Sequence, residues 1–423
     1  METHLADFIR DSPGGHEAES ILRRCVHCGF CNATCPTYQL LGDELDGPRG
    51  RIYLIKQVLE GAKPTEKTRL HLDRCLTCRA CETTCPSGVE YSHLLDIGRQ
   101  VVEGQVPRRG RDAVLRRLLR WGLPRPKVFG AVIRLSQLLR PVLPRQWQAR
   151  IPQRISAKIN PSPSSARRFI MLSGCVQSTL APNINAAARR VLNRLGIDLI
   201  EAPGAGCCGA LRHHLNDPMG ACEDARRNLT AWGPLLEAGA EGLAITASGC
   251  GAHILEYARL LQNDSLFADR ANQLTHVTRD ISTVIAEQAS TLEALLKQCP
   301  PLPESRRTLA FQSPCTLQHG FKIHGLVESL LEAAGYRLTT VRDAHLCCGS
   351  AGTYSILQPE LSGRLRDNKL AALLADQPAS IASANVGCIA HLQASSPIPV
   401  HHWIELIDQR LALQEKAHPT ALP

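Results

Sequence analysis

The 423-residue sequence is poor in aromatic side chains, has no long apolar run, and nearly lacks acids over one long stretch. Phe, Trp and Tyr make up 4% of it, so the cores must be built from Leu, Ile, Val and Ala. Nowhere do roughly 18 apolar residues run uninterrupted, so no membrane-spanning helix is expected. The first residues carry no basic segment followed by an apolar one, so no secretory signal is predicted. Together these absences point to a cytoplasmic chain, where thiols stay reduced and disulfide frameworks are not expected.

Against that background 18 cysteines are conspicuous. Eight fall in two copies of C-x2-C-x2-C-x3-C-P: Cys25, Cys28, Cys31 and Cys35, then Cys75, Cys78, Cys81 and Cys85. This is the spacing that holds cubane [4Fe–4S] clusters in bacterial-type ferredoxins. Three thiolates of one tight turn converge on a cube, and the fourth, before proline, serves the other cluster. The expected sets are crossed: Cys25, Cys28, Cys31 and Cys85 for one cluster, and Cys75, Cys78, Cys81 and Cys35 for the other. A zinc ribbon would leave half of these thiols unused.

Between the turns, Arg51 to Glu60 has apolar residues at helical spacing and Thr65 to Asp73 reads as a second helix, which predicts an α-helical ferredoxin domain. The acid-poor stretch runs from Pro107 to Arg168, with 14 Arg and 2 Lys against Asp112 alone. It contains an apolar stripe over Val128–Leu139, with Trp121 and Trp147 nearby. That pattern suits a helix lying on an anionic membrane surface or a connector wrapped on a partner. No nucleic-acid recognition module is present, so nucleic acid is not an expected partner. Pro161-Ser-Pro-Ser-Ser165 reads as a hinge.

After the hinge the chain repeats itself. Cys175, Cys207, Cys208 and Gly209 recur as Cys315, Cys347, Cys348 and Gly349, and each copy ends in Gly-Cys, at Cys250 and Cys388. Arg226 and Asn228 recur as Arg366 and Asn368. Strands predicted at Phe169–Leu172, Ile197–Ile200 and Leu243–Thr246 alternate with helices, which implies a parallel α/β sheet with the cysteines at strand carboxyl ends. Those eight cysteines form two candidate metal pockets, for a further iron–sulfur cluster or zinc. Gly204-Ala-Gly206-Cys-Cys-Gly209 imitates a dinucleotide fingerprint, but the second copy lacks the first two glycines. Cys222 and Cys299 belong to no pattern.

The expected fold is α+β and multidomain: a two-cluster α-helical ferredoxin domain (1–103), a basic helical connector (104–168), and a tandem pair of parallel-sheet α/β Cys-Cys-Gly domains (169–304 and 305–423). This layout resembles the iron–sulfur subunits of glycolate oxidase, anaerobic glycerol-3-phosphate dehydrogenase and lactate-utilisation complexes, and in fused form heterodisulfide reductase. Thr37 to Glu60, Ser313 to His319 and His345 to Tyr354 look most like the glycolate oxidase iron–sulfur subunit family. The resemblance implies an oxidoreductase subunit that binds no substrate itself. It implies partner subunits that carry FAD and oxidise glycolate to glyoxylate, with this chain taking the electrons onward towards the respiratory chain; the basic, apolar-striped connector adds the expectation of peripheral contact with the cytoplasmic face of the inner membrane, with quinone as an expected acceptor. In heterodisulfide reductase each repeat ends Cys-x-x-Cys. Here the endings are Cys250-Gly-Ala-His253 and Cys388-Ile-Ala-His391, so the fifth thiolate of a non-cubane cluster is absent from both.

Overall fold

The structure, a computed structural model, describes residues 1–142, 144 and 167–417. Trp147 and the expected hinge at 161–165 lie outside the described residues.

The N-terminal unit is entirely helical among its described residues. Ser12 caps the helix Pro13–Arg24 by accepting from Gly15 N, with Pro13 at its first position. Gly47-Pro48 starts the helix Pro48–Leu59, as Pro at a first helical position does, and a reciprocal Thr65–Thr68 capping box starts Glu66–Asp73. These pack with Tyr91–Gln105 around Ile21, Leu22, Ile55, Leu59, Leu94 and Leu95. A Cβ on Gly98 would come 2.6 Å from Ile55, so glycine there lets two of these helices approach closely.

The connector holds two helices where the apolar stripe predicts one. Pro126–Leu139 contains the predicted stripe, and Gly110–Gly122 precedes it. The earlier helix escapes pattern reading because its inner face is charged. Arg116 and the preceding Arg108 fold onto Asp73, the latter at 2.7 Å, while Val114, Leu118 and Trp121 face outward.

Each repeat forms a four-stranded parallel sheet. The first has β1 (Arg167–Met171), β2 (Ile197–Ile200), β3 (Leu243–Ile245) and β4 (Thr278–Asp280) in the order β2-β1-β3-β4. The second has β5 (Thr308–Gln312), β6 (Arg337–Leu338), β7 (Ser380–Ser383) and β8 (Val400–His402) in the order β6-β5-β7-β8. The three predicted strands of the first copy are present. The fourth strand of each sheet, only three residues long, carries too little periodicity to be read from sequence.

The repeats share one hydrophobic core, drawn from Phe169, Val191, Leu192, Leu309, Leu331 and Trp403 among others. They also pack helices across the boundary between them. The helix after β1, Pro182–Arg194, packs on the last helix, Trp403–Ala417, where Arg190 pairs with Asp408 at 2.7 Å. Reciprocally, the helix of the second repeat at Leu326–Ala333 packs on Ile281–Ala286 of the first. The sheets meet at their carboxyl ends, where His402 Nε2 lies 2.9 Å from Thr246 O.

Asp280, at the end of β4, is a buried carboxylate that accepts hydrogen bonds from the backbone N–H and the hydroxyl of Ser282, at 2.9 and 2.6 Å. Burial pushes its pKa up to about 6, against the pull of those two bonds. A carboxyl raised on folding loses stability as pH climbs from its unfolded value through its folded one. Asp280→Asn keeps the helix cap and removes the charge. It is expected to raise the melting temperature at pH 8, by up to about 3 kcal/mol of stability, with no gain at pH 4; thermal melts at both pH values check this.

Candidate iron–sulfur site

In each ferredoxin-type turn the residues flanking the second cysteine sit in the left-handed region: His27 and Gly29 (φ 60° and 87°), Thr77 and Arg79 (φ 53° and 61°). That double reversal curls the chain round one centre. A short helix follows in each copy, Phe30–Ala33 and Ala80–Thr84, and the two pack together. The two motifs thus stand face to face, and their fourth cysteines cross over.

One cavity is lined by Cys25, Cys28, Cys31 and Cys85, and its neighbour by Cys35, Cys75 and Cys78. Cys81 and Tyr91 line both. The structure therefore brings together the crossed sets expected from the spacing. Burial, with Cys25, Cys85 and Cys28 close by, pushes the Cys31 thiol up to about 11. Four such thiols hold charge together only around a metal cation, and the spacing of this donor set is the one that holds iron–sulfur cubanes. The first cavity is at the surface: Cys28 is exposed, as are Val26 and Phe30 beside it. The second lies deeper: Cys35 and Cys81 on it are buried, and Cys75 and Cys78 are half-buried. Arg51 on its wall is wholly buried, donating to His71 O at 2.7 Å and to Thr37 Oγ1 at 3.2 Å and pairing with Asp46. Asp46 also meets Arg74 at 2.7 Å and His71 at 3.0 Å.

The Cys-Cys-Gly cysteines follow strand ends as expected. Cys175 and Cys207 sulfurs lie 3.3 Å apart, and Cys315 and Cys347 sulfurs 3.9 Å. Cys208 stands between Cys207 and Cys250, and Cys348 between Cys347 and Cys388, so each repeat holds a string of four thiols. A tetrahedral zinc ion with bonds of about 2.3 Å needs all four sulfurs within about 3.8 Å of one another. Among the described residues the only three His, Cys, Asp or Glu with ligand atoms mutually within 4.8 Å are Asp43, Asp46 and His71. The strings do not fit a single zinc ion in this arrangement.

Gly209 and Gly349 close these turns at φ 91° and 87°. A Cβ on Gly349 would lie 2.6 Å from Ser362 O and 2.9 Å from Leu365 Cβ. Gly349→Ala is expected to cost about 1–3 kcal/mol and to lower iron content, readable by melting and iron analysis. Asn228 clamps the first turn, accepting from Gly206 N and donating to Cys207 O at 2.8 Å each. That contact, with Arg227 against Gly206, occupies the backbone that a phosphate would need, so the glycine pattern is coincidental. The recurring Arg226 and Arg366 do different work, pairing with Asp264 and Asp367. Cys222 and Cys299 lie apart, beside the carbonyls of Leu260 and Leu295.

The second ferredoxin-type cavity adjoins the second repeat. Leu76, Cys78, Cys315, Cys347 and Tyr354 share one apolar cluster, and Tyr354 OH donates to Arg74 O at 3.1 Å. Burial and then Cys315 push the Cys78 thiol up. The two histidines at the repeat endings differ. His391 Nε2 lies 3.1 Å from Ser362 Oγ, whereas His253 is buried with its Nε2 unpartnered. Motif reading missed Arg51, Tyr91, His213 and His214. Only Arg51 carried a signal, a charge on the same helical stripe as Ile55 and Val58.

A helical pair of cysteine-lined cavities joined to two cysteine-rich α/β repeats defines an iron–sulfur protein of the dicluster type. Family models agree: "4Fe-4S dicluster domain" matches residues 21–89 and "Cysteine-rich domain" matches 169–255 and 309–393. The chain is 52% identical to the glycolate oxidase iron-sulfur subunit of Escherichia coli, over 97% of this chain and 99% of that one. It is 31% identical to a probable glycolate oxidase iron-sulfur subunit of Bacillus subtilis, over 89% of each. It belongs to the family of glycolate oxidase iron–sulfur subunits. Lactate utilization protein A of Bacillus pumilus is 23% identical, over 56% of this chain and 97% of that one. A hypothetical protein from Helicobacter pylori shares the fold, with a TM-score of 0.52 at 11% identity over 95% of this chain and 72% of that one.

Proposed function

We propose that this chain is the electron-transfer subunit of a flavin-dependent glycolate oxidase. FAD-bearing partners oxidise glycolate to glyoxylate, and this chain, binding no substrate, hands the electrons towards the respiratory chain. A [4Fe–4S] cluster, when bound, supplies a one-electron carrier whose potential its surroundings set. The eight ferredoxin-type cysteines hold two such clusters in the crossed sets. Cys175, Cys207, Cys208 and Cys250 in the unit 169–304, and Cys315, Cys347, Cys348 and Cys388 in the unit 305–423, hold further iron–sulfur groups, behind the ferredoxin-type unit 1–103 and the connector 104–168.

The observation that carries this reading is the order of the cysteine sets. Cys28 of the first set is exposed, Cys81 stands on the walls of both ferredoxin-type cavities, and Cys78 adjoins Cys315. Such a series has a surface end for a donor and a buried end leading on. The relatives named for glycolate oxidase favour glycolate over glycerol phosphate or lactate as the partners' substrate.

The helices Gly110–Gly122 and Pro126–Leu139 expose Val114, Leu118, Trp121, Val132, Leu135 and Leu138, with arginines interspersed. That combination supports peripheral contact with an anionic membrane, the cytoplasmic face of the inner membrane, with quinone as acceptor. Among the described residues no helix is long and apolar enough to cross a membrane.

The test is anaerobic mixing of the iron-loaded chain with its flavoprotein partners and glycolate. Cluster reduction should appear by EPR, and Phe30→Asp should slow it. Absence of any reduction signal with the native chain ends the proposal.

A further inference from the structure

The two repeats carry the same four cysteines, and the sequence sets Asn228 against Asn368. In space the helices that pack on the two Cys-Cys-Gly turns match one residue further on. A Cβ on Gly209 would lie 3.1 Å from Ala221 O, and one on Gly349 lies 2.6 Å from Ser362 O, so Ala221 and Ser362 are counterparts. Along Pro218–Glu237 and Pro359–Leu374 this register sets Asp224 against Leu365 and Asn228 against Lys369. Burial follows it: Asn228 and Lys369 are 0% and 4% exposed, whereas Asn368 lies at the surface.

The exchange changes the buried charge beside each cysteine set. Asn228 is neutral and donates to Cys207 O at 2.8 Å. Asp224, one turn before it, is met by Arg227 at 2.6 Å and Arg212 at 3.3 Å, so the charges of that helix are compensated locally. The second repeat has Leu365 in place of the acid. Its Lys369 Nζ donates to the carbonyls of Asp343 and Ala344, at 2.8 and 3.4 Å, in the segment that leads into Cys347. Among the described residues no carboxylate forms an ion pair with it.

A buried ammonium without a counter-charge is destabilising, and lysine is seldom buried unless paired. Burial pushes the Lys369 pKa down, and the groups that pull it back up are Cys347, Cys348, Asp343 and Cys315. Asp343 is exposed, so the buried groups among these are thiols of the second repeat's set. Cysteines that bind a metal do so deprotonated. Four thiolates carry four negative charges, of which a metal core offsets a part, so the loaded set is an anion beside Lys369.

Building on the reading above, in which both repeats hold an iron–sulfur group, we propose that Lys369 is the counter-charge of the second repeat's cysteine set and raises the reduction potential of the group held there above that of the first. A fixed positive charge favours the more negative state of a neighbouring group, which for a redox group is the reduced one. The ligands are alike in the two copies. One buried side chain makes the sites unequal.

The test is a redox titration of the full iron-loaded chain followed by EPR, with the second repeat's signal assigned as the one lost in Cys347→Ser. Lys369→Gln keeps N–H donors for the Asp343 and Ala344 carbonyls and removes the charge. It should raise the oxidised-to-reduced ratio of that group about tenfold at a given potential, a downward shift of about 59 mV for a one-electron couple, and leave the other signals where they are. Lys369→Arg, which keeps the charge, should titrate close to the native chain. If Lys369 only ties the loop, Lys369→Gln leaves the potential unmoved, and that result overturns the proposal. So does an equal fall in Lys369→Arg. Should Lys369→Gln lose that iron, the native chain still decides. There the signal lost in Cys347→Ser must titrate above the one lost in Cys207→Ser, and the reverse order overturns the proposal. A Cys347→Ser chain with its iron and all its signals intact overturns the metal reading of the second repeat, and this proposal with it.

Discussion

Replacing Cys85 with serine should abolish the iron–sulfur group of the set that contains Cys28, and leave the one built around Cys78. Cys85 lies four residues beyond Cys81 in the chain, so an uncrossed assignment expects the opposite. Its side chain instead lines the cavity with Cys25, Cys28 and Cys31. Iron bound by the ferredoxin-type unit should fall from about eight to about four atoms, four per cluster, and the EPR signature lost should match that lost in Cys28→Ser. Cys35→Ser should mirror Cys78→Ser in the same way. Either variant should bring glycolate-driven reduction of a downstream acceptor to background, because the series of sets is broken. A Cys85→Ser spectrum matching that of Cys78→Ser would refute the crossed arrangement.

Asp46→Ala should cost about 3–5 kcal/mol of stability, the toll of leaving buried cations without their counter-charge. Asp46 has no exposure and is met by Arg51, itself wholly buried, by Arg74 and by His71. Its carbonyl accepts from Thr37 Oγ1 at 2.8 Å, beside Cys35. The network therefore ties the first cysteine turn to the helix Pro48–Leu59 and to the second turn. Urea melts of the iron-loaded chain measure the loss. Adding Arg51→Met to Asp46→Ala should recover part of it, since two mutually dependent charges are removed together. A double variant as destabilised as the sum of the two singles would show that the pair contributes little as a pair.

The sequence reveals chemistry here more readily than shape. Cysteine spacing is a local property fixed by the ligand group, so both ferredoxin-type sets and both repeat sets could be read directly. Helices with an apolar stripe, such as Pro48–Leu59, were legible for the same reason. The helix Gly110–Gly122 was not, because Arg116 and Asp73 satisfy each other on its inner face and no apolar period survives. The fourth strands were too short to register. The meeting of the ferredoxin-type unit with both repeats could not be read at all: Thr77, His253 and Thr316 are distant in sequence, and tertiary packing alone brings them together. The different surroundings of His253 and His391 were equally hidden, since both endings read Cys-x-x-His.

The packing of helices across the repeats has a consequence for each copy alone. Pro182–Arg194 rests on the last helix of the second copy, and Leu326–Ala333 rests on Ile281–Ala286 of the first as well as on the last helix of its own copy. A polypeptide carrying one repeat would expose the apolar face that the other copy covers here, with Val191, Leu192, Leu331 and Trp403 drawn from it. The two halves are therefore one folding unit in stability while remaining unlike in detail: one histidine has a serine partner and its counterpart does not.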